Sequence, residues 1–510
     1  MKRIILIILG VIILTGLIFP SAQKEESGRT SVISMVEADS YVASSYIALD
    51  SILNDYYYPY EIKQDESLSY NISVSNSSIL TIGGKVELQV SVKTNGYEYF
   101  PETDFNYIIY INNSGLLEDP GYHNTFIKSI KEIFRLKSHA SSIYFYFKKD
   151  KIVKKLTSTA FLESMLQELE DQYNFKLEEK SDDYDKKAKE DLSLLLKAAP
   201  QNGKPNKFFW IFNKRIARSA RDINDIFSII AGLGGETTEI SFCGFSENFR
   251  AATVNSIVDQ FGGNSYFFTD VDALKSIIEE DYRFYLQPAV SDLKISIYSL
   301  ENKTDIDPVI TLLLSSRYYG VELPLESNLV RIIEVKSLGA NEHHTYMIPF
   351  SISPKYSYTR SLNDNLVFKD SSVLSDPDIY PFAMVLLEYY DHKTDKYVYS
   401  SGIETINYTP DYKDQMETLD SYVNRNIHIR DTYLLINEIS GLLKLGNYKD
   451  PLVKLNTQIE KLVYLNKEFN DPMIKEDIEM LRNYKDLIYI NREKPFNGLK
   501  AFSELSLKQY

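Results

Sequence analysis

Cysteine is almost missing from this chain. Cys243 is the only one among 510 residues, so no disulfide can form within the chain and stability must come from a buried apolar core. It sits in ISFCGFS, a strand-like run, where a cysteine reads as a small buried hydrophobe. No histidine stands near it in sequence to make it a nucleophile. Positive charge is short as well: 56 Lys and Arg stand against 71 Asp and Glu, a net charge of −15. A nucleic-acid partner needs a basic face for its phosphates, and this balance argues against one. Only six His are present, and no Ser-His-Asp set or paired-carboxylate cleft can be argued from spacing. Gly232-Leu233-Gly234-Gly235 follows a helical pattern and precedes a strand, the reverse of a nucleotide-binding loop, and reads as a helix-ending turn. Asp182-Asp183-Tyr184-Asp185 lacks the alternation and the glycine of a calcium loop and reads as a solvated helix start. Glu342-His343-His344 opens a strand, where neighbours point to opposite faces, and reads as a solvated loop rather than a metal site.

What is plentiful is apolar and tyrosine-rich. Hydrophobic residues make up 44% and charged residues 25%, the balance of a globular chain with a real core. Tyr numbers 39 against one Trp, so some Tyr must reach the surface, where an amphipathic ring suits contact with proteins or glycans. The N-terminus, MKRIILIILGVIILTGLIFPSAQ, has a basic start and an apolar run over 4–19. It reads as an export signal cleaved near Ala22, with an uncleaved membrane anchor as the alternative because Pro20 disfavours the cut. The expected location is therefore exported: periplasmic, at the cell surface, or secreted.

The periodicity changes along the chain. After the signal or anchor (1–22), residues 23–103 form an N-terminal β-rich segment, with period two over 68–98. From 104 to 290 strands and helices alternate. Strands are expected at Tyr107–Ile111, Ser142–Phe147, Lys207–Phe212, Glu239–Phe245 and Ser265–Thr269. Helices are expected at His123–Leu136, Ile223–Ala231 and Phe249–Phe261, over the charged stretch 160–197, and from Asp270 onward. That order reads as a doubly wound, mainly parallel sheet. Period two returns over 291–410, a β-sandwich, and 411–510 is a C-terminal helical segment in which Asp471-Pro472 starts a helix. The fold class is thus multidomain, α+β and α/β, with a central doubly wound sheet.

Several runs, in order, resemble the von Willebrand factor type A (VWA) proteins that bacteria export. YIIYINNSG resembles the first strand and the start of the Asp-x-Ser-x-Ser loop, KFFWIFNK the fourth strand, TEISFCGFSENF the fifth, and FGGNSYFFTDVDALKSII the last strand and helix. SLGANEHHTYMIPFSI resembles part of a following sandwich, and GNYKDPLVKLNTQIEKL a helix of the tail. The resemblance implies a metal-ion-dependent adhesion site above the first strand. Carried over residue by residue, the loop's first Asp is Asn112, its first Ser is kept as Ser114, its second Ser is Leu116, and the Asp after the fourth strand is Asn213. Lys214 follows where glycine is usual, and 165–185 offers no Thr, only Ser181. A divalent cation needs carboxylates to offset its dehydration, so the site is expected to be degenerate and to hold no metal or other cofactor. Asn112, Asn113, Ser114, Asn213 and Lys214 then remain either as a metal-free contact surface for a protein partner in the cell envelope or as a relic with no role. The expected function is a non-enzymatic exported binding or scaffold protein. The alternatives are a metal-dependent adhesin (Mg or Ca) that tolerates the Asn ligands, and an unrecognised envelope hydrolase acting through two facing carboxylates.

Overall fold

The computed structural model describes residues 52–56, 66–96, 101–112, 120–137, 141–147, 150–173, 184–212, 238–245, 262–268, 271–300, 329–355 and 379–492, with single residues at 229 and 258. The chain divides into two compact units. Glu102–Gln287 forms the larger part of one; Leu49–Pro101 and Pro288–Tyr510 come together in the other. The first unit is therefore inserted into the second in sequence.

In the second unit a short helical turn, Ile52–Asp55, precedes strands β1 (Leu68–Val74), β2 (Ser78–Leu80) and β3 (Gly84–Thr94). The chain then passes into the α/β unit: β4 (Asn106–Asn112), α1 (Pro120–Leu136), β5 (Ser142–Phe147), β6 (Ile152–Lys155), α2 (Leu162–Tyr173), α3 (Tyr184–Ala198), β7 (Asn206–Phe212), β8 (Thr238–Phe245), β9 (Ser265–Phe268) and α4 (Val271–Leu286). Its six-stranded sheet has the order β6-β5-β4-β7-β8-β9. All pairings are parallel except that of the edge strand β6 with β5. Continuous apolar runs such as YIIYI and KFFWIF are what a sheet covered on both faces requires. Alternate residues serve the two faces. Tyr107, Ile109, Ile111, Phe145, Phe209, Ile211 and Cys243 join the core with Phe126 and Ile130 of α1, Leu162 and Leu166 of α2, and Ile278 of α4. Ile108, Tyr110, Tyr146, Phe208, Trp210 and Phe242 join Leu192, Leu195 and Leu196 of α3. Cys243 is buried, as its surroundings predict. Gly263 explains one sequence detail: its φ is +111°, and a side-chain carbon there would lie 2.3 Å from the Ile240 carbonyl oxygen.

The expected helices Ile223–Ala231 and Phe249–Phe261 lie almost wholly outside the described residues, as do Gly232–Gly235, Asp182, Asp183 and the apolar run 4–19. The charged stretch 160–197 contains two helices, α2 and α3. No helix among the described residues is long and apolar enough to cross a membrane.

Back in the second unit come β10 (Pro288–Ser299), β11 (Leu329–Gly339), β12 (His343–Ile352), β13 (Ile379–Asp391) and β14 (Lys396–Thr409). Two sheets result, β1-β3-β12 and β11-β10-β13-β14-β2. Their inner faces share one core that includes Leu88, Val90, Ile295, Val385 and Ile348. The segments 23–103 and 291–410, separate in the sequence reading, therefore contribute to one sandwich: β3 pairs along its whole length with β12, from Gly84↔Ile352 to Lys93↔His343. The tail follows as α5 (Tyr412–Glu417), α6 (Ser421–Lys444), α7 (Lys449–Phe469) and α8 (Pro472–Arg492). Asp420 caps α6 by accepting from the Val423 amide at 2.9 Å. Asn470, at φ 48°, ends α7, and Asp471-Pro472 opens α8 as the sequence predicts.

Candidate functional site

The order of the α/β sheet places its switch point between β4 and β7. From β4 the chain goes to β5 on one side, and from β7 to β8 on the other. In such sheets the crevice beyond the carboxyl ends of the two central strands is where ligands bind. Here Asn112 and Phe212 are register partners at the ends of β4 and β7. The described ends of the two central strands therefore lie side by side. Of the sequence-derived positions, Asn112 is placed, as the last residue of β4. Asn113, Ser114, Leu116, Asn213, Lys214 and Ser181 lie outside the described residues. The parallel strands end at Asn112, Phe147, Phe212, Phe245 and Phe268, one carboxamide and four phenylalanines.

At the opposite end of the same strands lies a polar cluster that sequence reading did not single out. Asp281 of α4 is fully buried. Tyr107, at the start of β4, donates its hydroxyl to Asp281 Oδ2 at 2.8 Å, and Asn264 Nδ2 donates to Asp281 Oδ1 at 3.0 Å. The Tyr285 and Ser241 hydroxyls share a bond of 2.7 Å beside them. Burial, then the neighbouring Asp281 charge, holds the Tyr107 hydroxyl and the Cys243 thiol well above their ordinary values. A thiol so held stays protonated and unreactive. The signal was present in the sequence: Asp281 occurs at helical spacing from Ile277, Ile278 and Tyr285, on the apolar face of α4. The cluster ties that helix to the sheet.

Among the described residues no group of three or more His, Cys, Asp or Glu is gathered as a metal site. Glu342 and His343, read from sequence as part of a solvated loop, are enclosed instead. Glu342 is 9% exposed and accepts from the Gly339 amide, closing the turn between β11 and β12. His343 Nε2 lies 3.0 Å from the Thr345 hydroxyl. Burial, with the nearby His344, Lys93 and Arg425 charges, lowers its pKa from 6.5 to about 3.

A von Willebrand factor type A protein from Catenulispora acidiphila superposes with a TM-score of 0.50 at 10% identity, covering 82% of this chain and 91% of that one. The fold is of the VWA kind. A second VWA structure, the ArnB paralog VWA2 from Sulfolobus acidocaldarius, matches at 13% identity over 83% of this chain and 98% of the other, with a TM-score of 0.41. No protein-family model matches the sequence, and no curated protein is similar to it in sequence. Identities this low carry the architecture only. Within that VWA architecture the paired ends of β4 and β7 are the place the sequence resemblance assigned to the adhesion-site loops.

Proposed function

We propose that the chain is an exported, non-enzymatic binding or scaffold protein. It meets a protein partner of the cell envelope at the carboxyl edge of its VWA-like sheet, without a bound metal. The observation that carries this reading is the register pair Asn112–Phe212 at the switch point. In sequence the residues that follow are Asn113-Ser114 on one side and Asn213-Lys214 on the other. These positions offer carboxamides, a hydroxyl and an ammonium, and no anionic oxygen. A hard divalent cation requires one or two carboxylates there. Against a divalent cation at ~4 Å, the Lys214 ammonium adds a repulsion worth about 8 kcal/mol at an effective dielectric of ~20. The same groups suit hydrogen bonding to a partner's polar side chains, with Lys214 meeting a carboxylate directly. The apolar run 4–19 supports export, by a cleaved signal or as an anchor.

Titration calorimetry with Mg²⁺, Mn²⁺ and Ca²⁺ tests the metal-free reading, and no binding heat is expected. Sub-millimolar binding abolished by Ser114→Ala would replace it with the second reading, a metal-dependent adhesin using the Asn ligands. Capture from native envelope, compared between the mature protein and Lys214→Glu, tests the partner surface. A partner retained equally by both overturns the assignment of that edge.

A further inference from the structure

The outer face of the three-stranded sheet is composed like a surface but is covered. Along β3, Glu87, Gln89, Ser91 and Lys93 alternate with the core residues Val86, Leu88, Val90 and Val92. On β12 the register sets Thr345 opposite Ser91 and His343 opposite Lys93. Apolar-in, polar-out alternation is the pattern of a sheet with one face in water. Yet Gln89 and Ser91 are 0% exposed and Thr345 is 1% exposed.

Helix α6 of the tail lies over them, and side-chain hydrogen bonds and an ion pair run from it to β3. Asn426 Nδ2 donates to Gln89 Oε1 at 2.8 Å. Gln89 Nε2 donates to Ser91 Oγ at 3.3 Å, the Ser91 and Thr345 hydroxyls share a bond of 3.0 Å, and His343 Nε2 ends the chain at Thr345. One turn further along α6, Arg430 grips the Glu87 carboxylate with two bonds, of 2.9 and 3.0 Å. Among the described residues the apolar core of the sandwich includes no residue of the tail. The tail has buried apolar residues of its own, including Ile436, Ile439, Leu455, Leu462, Leu481 and Ile488.

We propose that the helical tail is a removable cover: α6, with α7 and α8 packed on it, lifts from the three-stranded sheet while the sandwich stays folded, and uncovers the polar face of Glu87, Gln89, Ser91 and Thr345. Two differences in chemistry drive this. A neutral hydrogen bond is worth little net, and so is an ion pair whose side chains still keep 21% and 18% of their surface in water, because water replaces both on opening. An apolar interface would regain nothing from water, so the sandwich core holds where the cover does not. The short helical turn Ile52–Asp55 bridges the junction. Asn54 Oδ1 accepts from the Thr345 amide at 2.7 Å, and the Tyr56 hydroxyl bonds Asp477 of α8. Lifting breaks the Asn54 bond and leaves Tyr56 with the tail.

Thiol labelling of the full chain, in a Cys243→Ala background, tests the cover. Ser91→Cys and Thr345→Cys lie beneath it, and Val90→Cys faces the sandwich core one residue away. With rates normalised to those in denaturant, both covered positions are expected to label about tenfold or more faster than position 90. Arg430→Gln should speed labelling beneath the cover and leave position 90 unchanged. Equal rates at all three positions would mean that tail and sandwich open together and would overturn the proposal. So would a covered rate that Arg430→Gln leaves untouched.

Discussion

Two titrating residues of the second unit set opposite limits on its stability. His343 holds its folded pKa near 3, so from pH 6.5 downward the unfolded chain binds a proton that the folded one refuses. Stability therefore falls as pH drops through that window. Glu404 of β14 is the mirror case: burial raises its carboxyl from 4.5 to about 7. Between those values the folded chain keeps a proton that the unfolded chain has released, and stability falls as pH rises. The two windows overlap, so the expected profile is an arch with a broad top over the overlap, from pH 4.5 to 6.5, where the two slopes oppose each other. His343→Gln should flatten the acid side. Glu404→Gln should flatten the other side and raise stability at pH 8 by about 1–2 kcal/mol, after allowance for solvent screening. Melting temperatures from pH 4 to 8 measure both, and parallel curves for either variant and the wild type would refute its assignment.

At the scale of elements, α4 depends on one carboxylate. Asp281→Ala strands the Tyr107 hydroxyl and the Asn264 amide in the core and is expected to cost about 2–4 kcal/mol, while Asp281→Asn, which keeps the shape, should cost roughly 1. Urea midpoints read from Trp210, the only tryptophan and a core residue of this unit, give the comparison. An unchanged midpoint for the Ala variant would remove the tie. The long apolar strands were legible in the sequence because a parallel sheet writes itself as unbroken runs: Ser142–Phe147 is found with those bounds, and β4 and β7 within a residue at either end. The edge strand Ile152–Lys155 was not legible, because IVKK is short and half of it is charged. The unity of the sandwich was hidden for another reason. Periodicity marks each strand but not its partner, and Lys93 finds His343 only across the whole inserted unit. Of the candidate site the sequence offered residue types on expected loops, and Asn112 alone of them lies among the described residues. Its strand-end geometry came from topology, which no single run of sequence contains.

The whole molecule is an insertion. Glu102–Gln287 interrupts the chain of the second unit, and the two ends of the interruption are stitched together. The Thr103 amide donates to the Leu286 carbonyl at 2.7 Å, and its hydroxyl donates to the Tyr285 carbonyl at 2.7 Å. Each unit has its own core, so denaturation is expected to show two steps. Trp210 fluorescence follows the inserted unit and far-ultraviolet dichroism follows both, so the two curves should part. Coincident curves would mean one cooperative body. The insertion also has a consequence for synthesis. When β3 leaves the ribosome, its partner β12 is still untranslated, and at 5–20 residues per second it arrives some 10–50 s later, roughly. By then the inserted unit has had time to form. The early strands spend that interval as an open template, and a nascent-chain chaperone would find its substrate there.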